Sequence, residues 1–241
     1  MGKYVELQDA YKSISESLSH AAAWNDHKLN LTYIHSEKLT DSDVASKLGG
    51  MDGVIIAPGF GKRGIEGKLV ALKWCREHDV PTLGICLGMQ CMVIEYARNV
   101  LGYKGANSVE MDPSTPYPVI DIMEEQKNIS DKGGTMRLGA YDCELTEDSI
   151  PAKAYGKRKV SERHRHRYEF NEKYRQDFES NGLKSVGVNP ATKLVEVVEG
   201  EGKRWFVGTQ YHPEYQSTVL NPNPLFMSFI QAAIDYSKEK N

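Results

Sequence analysis

VPTLGICLGMQCMVIEYARNV, residues 80–100, reads as an apolar strand that runs into Cys86 and a helix that starts directly after it. Val80 to Cys86 has the continuous apolar character of a strand buried on both faces. Leu87 to Val100 has helical character. Gly84 and Gly88 flank the cysteine at −2 and +2. A strand-to-helix turn this sharp brings two backbones too close for larger side chains, which is the geometry of the G-x-S-x-G elbow with cysteine in place of serine. The turn lifts the sulfur clear of the sheet. It also places the sulfur at a helix N-terminus, where unpaired N–H groups and the helix dipole favour a thiolate. The N–H of Leu87 can point at a developing oxyanion. Taken alone, a strand-end cysteine is as consistent with burial as with chemistry, because free cysteine is among the most buried residue types. The two glycines favour chemistry. Cys75 in a helix, Cys91 five residues into the next helix and Cys143 in a strand lack such a context and read as structural.

Working outward, GVIIAP (53–58) is a second buried strand, closed by Pro58 and a glycine cluster. Gly67 to His78 is a helix between the two strands. Upstream, KYVEL (3–7) and LNLTYIH (29–35) read as strands, residues 9–23 as a helix with Ala10, Ile14, Leu18 and Ala21 on one face, and 41–48 as a helix after Thr40 as N-cap. Strands and helices alternating at this spacing predict βαβ crossovers and an open, mostly parallel sheet with helices on both faces. After a loop at 103–117 the character changes. TMRLGAYDCEL (135–145), HRHRYEF (164–170), KSVGV (184–188), LVEVVE (194–199) and WFVGTQYH (205–212) are short strand-like runs. They predict a β-rich insertion, antiparallel at one sheet edge, with a return strand ending at His212. A helix from about 224 to 238 closes the chain. Absence of a repeat or a Pro/Gly/Ser linker makes 1–241 a single α/β domain.

A cysteine hydrolase needs a base and a group that orients it. His212-Pro213-Glu214 follows the return strand, 126 positions after Cys86. In an extended chain, positions 212 and 214 face the same side, so Glu214 can hold one imidazole nitrogen while the other faces the sulfur. Pro58-Gly59-Phe60-Gly61-Lys62-Arg63-Gly64 ends the neighbouring strand, and glycine there lets a backbone N–H approach a ligand. It lacks the G-x-x-x-x-G-K-[ST] pattern of a phosphate loop.

These features resemble the class I, triad-type glutamine amidotransferases. GKYVEL, RGIEGK, LGICLGMQ, EYARNVLG, ANSVEMD, GGTMRLGAYDC, ERHRHRYEFN, QYHPEY and PLF narrow the resemblance to the glutaminase domains of CTP synthases, over essentially the whole chain. The resemblance implies a flavodoxin-like fold with its site outside the carboxyl ends of the strands. It implies Cys86, His212 and Glu214 as triad and Gly59 and Leu87 as oxyanion donors. Glutamine would be held by Gly59, the backbone of Leu87, Gly88, Met89 and Gln90, and by Glu110 and Arg167. Many relatives have Pro-Gly-Gly-Phe-Gly in the oxyanion loop, where this chain has Ala57-Pro58-Gly59-Phe60-Gly61, one glycine fewer. The resemblance further implies an N-terminal synthetase domain, before Lys3, as the partner that uses ATP, UTP and Mg. It implies L-glutamine as substrate, no cofactor in this domain, and a homo-oligomeric intact enzyme. Met1-Gly2 directly before KYVEL reads like a start imposed on a fragment.

The physical chemistry of glutamine agrees. Arg167 can clamp the α-carboxylate with a bidentate fork, and Glu110 can pair with the α-ammonium. Alternation at 163–167 puts Arg163, Arg165 and Arg167 on one strand face and His164 and His166 on the other. Two histidines without a third ligand at a regular spacing carry no metal assignment. A net charge of −3 gives no reason to expect nucleic acid, and the basic run from Lys153 to Arg167 has no interleaved aromatic platform. No apolar run reaches the roughly 20 residues that span a bilayer, and the N-terminus has no signal-peptide core. Four irregularly spaced cysteines fit a reducing cytoplasm. Two other readings share parts of this evidence: a stand-alone γ-glutamyl hydrolase, with the same fold and nucleophile, and a non-catalytic glutamine-binding or assembly module, which a broken triad would favour.

Overall fold

The computed structural model describes residues 1–122 and 136–240, so Gly133, Gly134 and Thr135 of the GGTMRLGA stretch lie outside the described residues. The elements in chain order are α1 (Lys12–Trp24), α2 (Val44–Leu48), β1 (Val54–Ile56), α3 (Ile65–Glu77), β2 (Thr82–Ile85), α4 (Leu87–Asn99), β3 (Asn107–Ser108), β4 (Pro118–Ile122), β5 (Arg137–Leu145), α5 (Ile150–Tyr155), β6 (Lys159–His166), β7 (Tyr168–Phe170), α6 (Arg175–Ser180), β8 (Leu183–Val188), β9 (Val195–Gly200), β10 (Phe206–Thr209) and α7 (Pro224–Lys240). Seven strands form one mixed sheet in the order β1-β2-β10-β9-β8-β5-β6. β1, β2 and β10 are parallel, and the expected return strand is β10, in register with β2 from Phe206 opposite Thr82. β9, β8, β5 and β6 extend that edge antiparallel, as the second half predicted. A small sheet, β3-β4-β7, stands beside it.

Alternation along the strands feeds two cores, one on each face. Val54, Ile56, Phe206 and Val198 pack with Leu69 and Leu72 of α3 and Met89, Met92 and Val93 of α4. Leu83, Ile85, Val207 and Val197 pack with Ile14 and Leu18 of α1 and Leu225, Phe226 and Phe229 of α7. Each such side chain contributes about 1.5–3 kcal/mol of hydrophobic stabilisation when fully buried. Among the described residues no helix is long and apolar enough to cross a membrane.

Two expected strands do not form. KYVEL turns instead, because the N–H groups of Lys3 and Tyr4 both donate to the Tyr11 hydroxyl, at 3.1 and 3.3 Å. LNLTYIH is not assigned to a strand, and its single bridge joins His35 to Gly2. Leu31 and Tyr33 are each 40% exposed, and its alternation meets no partner strand among the described residues. Smaller differences lie at helix starts: α1 begins at Lys12 after a 3-10 turn, and α2 begins at Val44, with Thr40 tied to the Asp43 carboxylate at 2.8 Å. The short helices α5 and α6 were not expected. α5 has a legible signal in Ser149-Ile150-Pro151, where Ser149 caps the Ala152 N–H at 3.2 Å.

Candidate active site

Cys86 sits between β2 and α4 with φ 53° and ψ −105°, a conformation that costs a non-glycine residue of order 1–3 kcal/mol. The two glycines explain why the turn is this tight. A Cβ on Gly88 would lie 2.1 Å from the Ile56 carbonyl oxygen, and one on Gly84 would lie 2.5 Å from the Met92 sulfur. The Cys86 N–H bonds the Thr209 carbonyl at 2.7 Å, tying the elbow to the end of β10. Leu87 is the first residue of α4, so its N–H has no partner within the helix. All four cysteines are free and buried. Burial pushes the Cys75 thiol up to about 12 and the Cys91 thiol up to about 11, and it raises Cys143 further, so these three are inert at neutral pH.

β10 ends at Thr209, three residues short of His212, and the chain then forms a 3-10 turn over Pro213–Gln216. His212 and Glu214 therefore meet across a turn rather than along an extended chain. The His212 Nδ1 to Glu214 Oε1 distance is 2.7 Å, with both side chains buried. The turn is held by Gln216, which donates to Glu162 at 2.8 Å, and by Tyr215, whose ring stacks on His212 at 5.0 Å. The His212 N–H bonds the Arg163 carbonyl at 2.8 Å. Nδ1 is taken, which leaves Nε2 for the sulfur. Burial alone would lower the His212 pKa, but the neighbouring Cys86 sulfur and the Glu214 carboxylate outweigh it and raise it to about 11. His212 is thus held as an imidazolium beside the sulfur.

Of the other expected residues, Gln90 reaches the centre through Gln210, Arg167 stands two residues from the Arg165 carbonyl beside the sulfur, and Glu110 holds the loop carrying Gly59. Gln90 is buried in α4, and its Nε2 donates to the Tyr168 carbonyl at 3.0 Å and to Gln210 Oε1 at 3.2 Å. Glu110, after β3, accepts the Gly61 N–H at 2.8 Å, so the residue expected to meet an α-ammonium also holds the loop carrying Gly59. Arg167 is half-buried at the point where the chain leaves β6 for β7, between the Arg165 carbonyl, 3.8 Å from the Cys86 sulfur, and Tyr168. Phe60 is 45% exposed on that loop, under the Arg165 guanidinium. Gln210 is a site residue the sequence reading missed: it is fully buried and donates from Nε2 to the Cys86 sulfur at 3.7 Å. Its place two residues before His212 was the available signal.

β6 alternates as expected, Arg163 and Arg165 exposed and His164 and His166 buried. His164 Nδ1 and His166 Nε2 share a hydrogen bond at 2.8 Å. Burial first, then the charges of Arg137 and its neighbours, hold His164 down to about 3 and His166 well below its usual range, so both are neutral. Glu196 of β9 supplies the third ligand group that the sequence lacked. The Arg137 guanidinium already neutralises it at 2.8 Å, and also reaches Glu169 at 3.1 Å. A cation would have to displace the shared histidine proton and compete with that guanidinium, so no metal is assigned here.

The family model for class-I glutamine amidotransferases matches residues 6–232. A CTP synthase of Porphyromonas gingivalis is 64% identical over 239 residues, covering 99% of this chain, and one of Bacteroides fragilis is 63% identical over 235 residues, covering 98%. The chain spans 44% of the length of each. The solved glutaminase domain of Trypanosoma brucei CTPS with bound acivicin superposes with a TM-score of 0.91 at 38% identity, covering 97% of this chain and 92% of that one. A GMP synthase component from Thermoplasma acidophilum, at 16% identity and a TM-score of 0.58 over 87% of this chain and 83% of that one, shares the fold.

Proposed function

The chain belongs to the class-I glutamine amidotransferase family as a glutamine-hydrolysing domain of the CTP synthase kind, and from that premise we propose that Cys86, His212 and Glu214 perform the hydrolysis. The observation that carries the assignment is the buried Glu214–His212 pair at 2.7 Å beside an elbow cysteine. Cys86 thiolate attacks the side-chain amide carbon of L-glutamine. The oxyanion that forms is taken by the N–H groups of Gly59 and Leu87. His212, as imidazolium, gives its proton to the departing nitrogen, and ammonia leaves as the γ-glutamyl thioester forms. Neutral His212 then takes a proton from water, whose oxygen attacks the thioester carbon. Glutamate leaves and the ion pair is restored. Glu214 stays ionised and stabilises the imidazolium throughout.

Arg167 and Glu110 bind the α-carboxylate and α-ammonium, and the Leu87–Gln90 backbone lines the side-chain slot. In the intact protein, the ammonia aminates UTP to CTP on an N-terminal synthetase domain that holds ATP, UTP and Mg. The relatives' greater length supports that arrangement. Glutamate release is the test. Cys86→Ser should lower it by at least about 10⁴-fold in a chain that still unfolds cooperatively in urea, and a glutamine-mimicking electrophile should label Cys86. Labelling at Cys75, Cys91 or Cys143 would overturn the assignment.

A further inference from the structure

Lys68 lies in the first turn of α3 with no solvent exposure, and Lys3 is 5% exposed. Burying an ammonium carries a desolvation cost of several kcal/mol, and a neutral donor could satisfy a carbonyl without it. Both ammonium groups go to one place. Lys68 Nζ donates to the Ala57 carbonyl at 2.6 Å, and Lys3 Nζ donates to the Phe60 carbonyl. These are the carbonyls immediately before and after Pro58-Gly59. Lys3 also covers the glycine itself, its Cε 3.4 Å from where a Cβ on Gly59 would stand. The Ala57 N–H bonds Met1 at 3.0 Å and the Gly61 N–H bonds Glu110 at 2.8 Å, while Pro58 has no N–H to give. Among the described residues, the Gly59 N–H has no acceptor, so the tethers on either side leave this donor unengaged. Lys68 is in electrostatic contact with the nucleophile as well. Burial lowers the Lys68 pKa, Lys3 lowers it further, and Cys91 and Cys86 pull it back up.

We infer that Lys68 and Lys3 are positioning residues of the oxyanion loop: their ammonium groups turn the Ala57 and Phe60 carbonyls away from the acyl site, aim the Gly59 N–H into it, and place positive charge where the oxyanion develops. This rests on the reading of Cys86 as nucleophile and Gly59 as oxyanion donor. An isosteric apolar side chain fills the same space and removes a buried charge, so the fold need not suffer; a purely structural role predicts the opposite pattern, a lower unfolding midpoint with kcat unchanged or falling only in step with it.

The experiment measures glutamate release and urea unfolding for Lys68→Met, Lys3→Met and Cys86→Ser in this chain. Loss of a whole oxyanion donor lowers kcat by roughly 10²–10³-fold, so a misaimed one should lower it about tenfold or more in each lysine variant. KM should change less than about threefold, since the oxyanion exists only in the transition state. The urea midpoint of Lys68→Met should stay level or rise. Wild-type kcat in both lysine variants, or a loss matched by a lower unfolding midpoint, overturns the inference. Lys3→Met decides it should Lys68→Met not fold. If Cys86→Ser still released glutamate, the nucleophile assignment would fail instead.

Discussion

His212 is pulled two ways, and the balance has a measurable sign. Burial disfavours its charged form, while Cys86 and Glu214 favour it, leaving its pKa raised from 6.5 to about 11. A raised folded-state pKa contributes stability that is fully present below the unfolded value and is lost as pH rises through the folded value. The imidazolium is therefore intact across the neutral range. An NMR titration should show no His212 transition between pH 6 and pH 8. In Cys86→Ser the midpoint should fall, because the largest favourable contributions come from the sulfur. A midpoint near 6.5 in the unmodified chain would sink the ion-pair description. Arg167 makes a complementary prediction. A guanidinium facing an α-carboxylate sees no change of charge during the reaction, so its binding energy is mostly uniform. Arg167→Ala should raise KM by roughly 10- to 100-fold, the scale of a charged hydrogen bond, with kcat changed far less. Unchanged KM with a collapsed kcat would contradict it.

At the scale of elements, the elbow depends on two backbones crossing where only glycine fits. A Cβ at Gly88 would overlap the Ile56 carbonyl at 2.1 Å, a backbone atom that cannot swing aside like a side-chain tip. Gly88→Ala should lower stability by about 3 kcal/mol or more, at or beyond the upper end for overpacking. A urea midpoint like that of the unaltered chain would show that β1 and α4 can part without cost. This crossing was legible in the sequence because its cause is local: strand, glycine, cysteine, glycine, helix. The buried strands at 53–58 and 80–86 were legible for the same reason, continuous apolar runs between breakers. LNLTYIH has an equally good strand pattern but, among the described residues, no partner strand beyond a single bridge, and pairing is not written in a single segment. The His212–Glu214 contact was right in outcome and different in path, because Pro213 starts a 3-10 turn where alternation predicted extension. Lys68 and Lys3 were illegible beside the loop they hold, and Gln210 showed only in standing two residues before His212. A glutamine in a strand run and lysines near helix or chain starts are ordinary surface residues until the fold buries them.

At the scale of the molecule, hydrolysing glutamine without an acceptor wastes ammonia, so a domain of this kind is useful when its site responds to a partner. The loop at 58–64 is suited to such a response. Gly61 and Gly64 take φ of 70° and 74°, left-handed values that glycine adopts without strain, so the loop can change shape at low cost. Its tip faces outward: Phe60 is 45% exposed and Lys62 is exposed, whereas Arg63 is already engaged by Glu37. The same loop is held by Glu110, which accepts the Gly61 N–H, so contact at the tip and a ligand proposed to sit at Glu110 would act on one segment. A synthetase domain seated against Phe60 and Lys62 would stabilise the arrangement in which Gly59 donates to the oxyanion. One missing donor costs roughly 10²–10³ in kcat, so a loop that Lys68 and Lys3 hold in the donating arrangement only part of the time leaves a slow basal rate that they still control. The isolated chain should therefore bind glutamine and form a covalent adduct with a reactive glutamine analogue, yet release glutamate at least about tenfold more slowly than a full-length relative with nucleotides bound. Adding a synthetase domain in trans should recover part of that rate, and Lys62→Glu should reduce the recovery without changing the basal rate. Glutamate release as fast as in the full-length enzyme, with no partner present, would mean that the loop is already set and that coupling acts elsewhere.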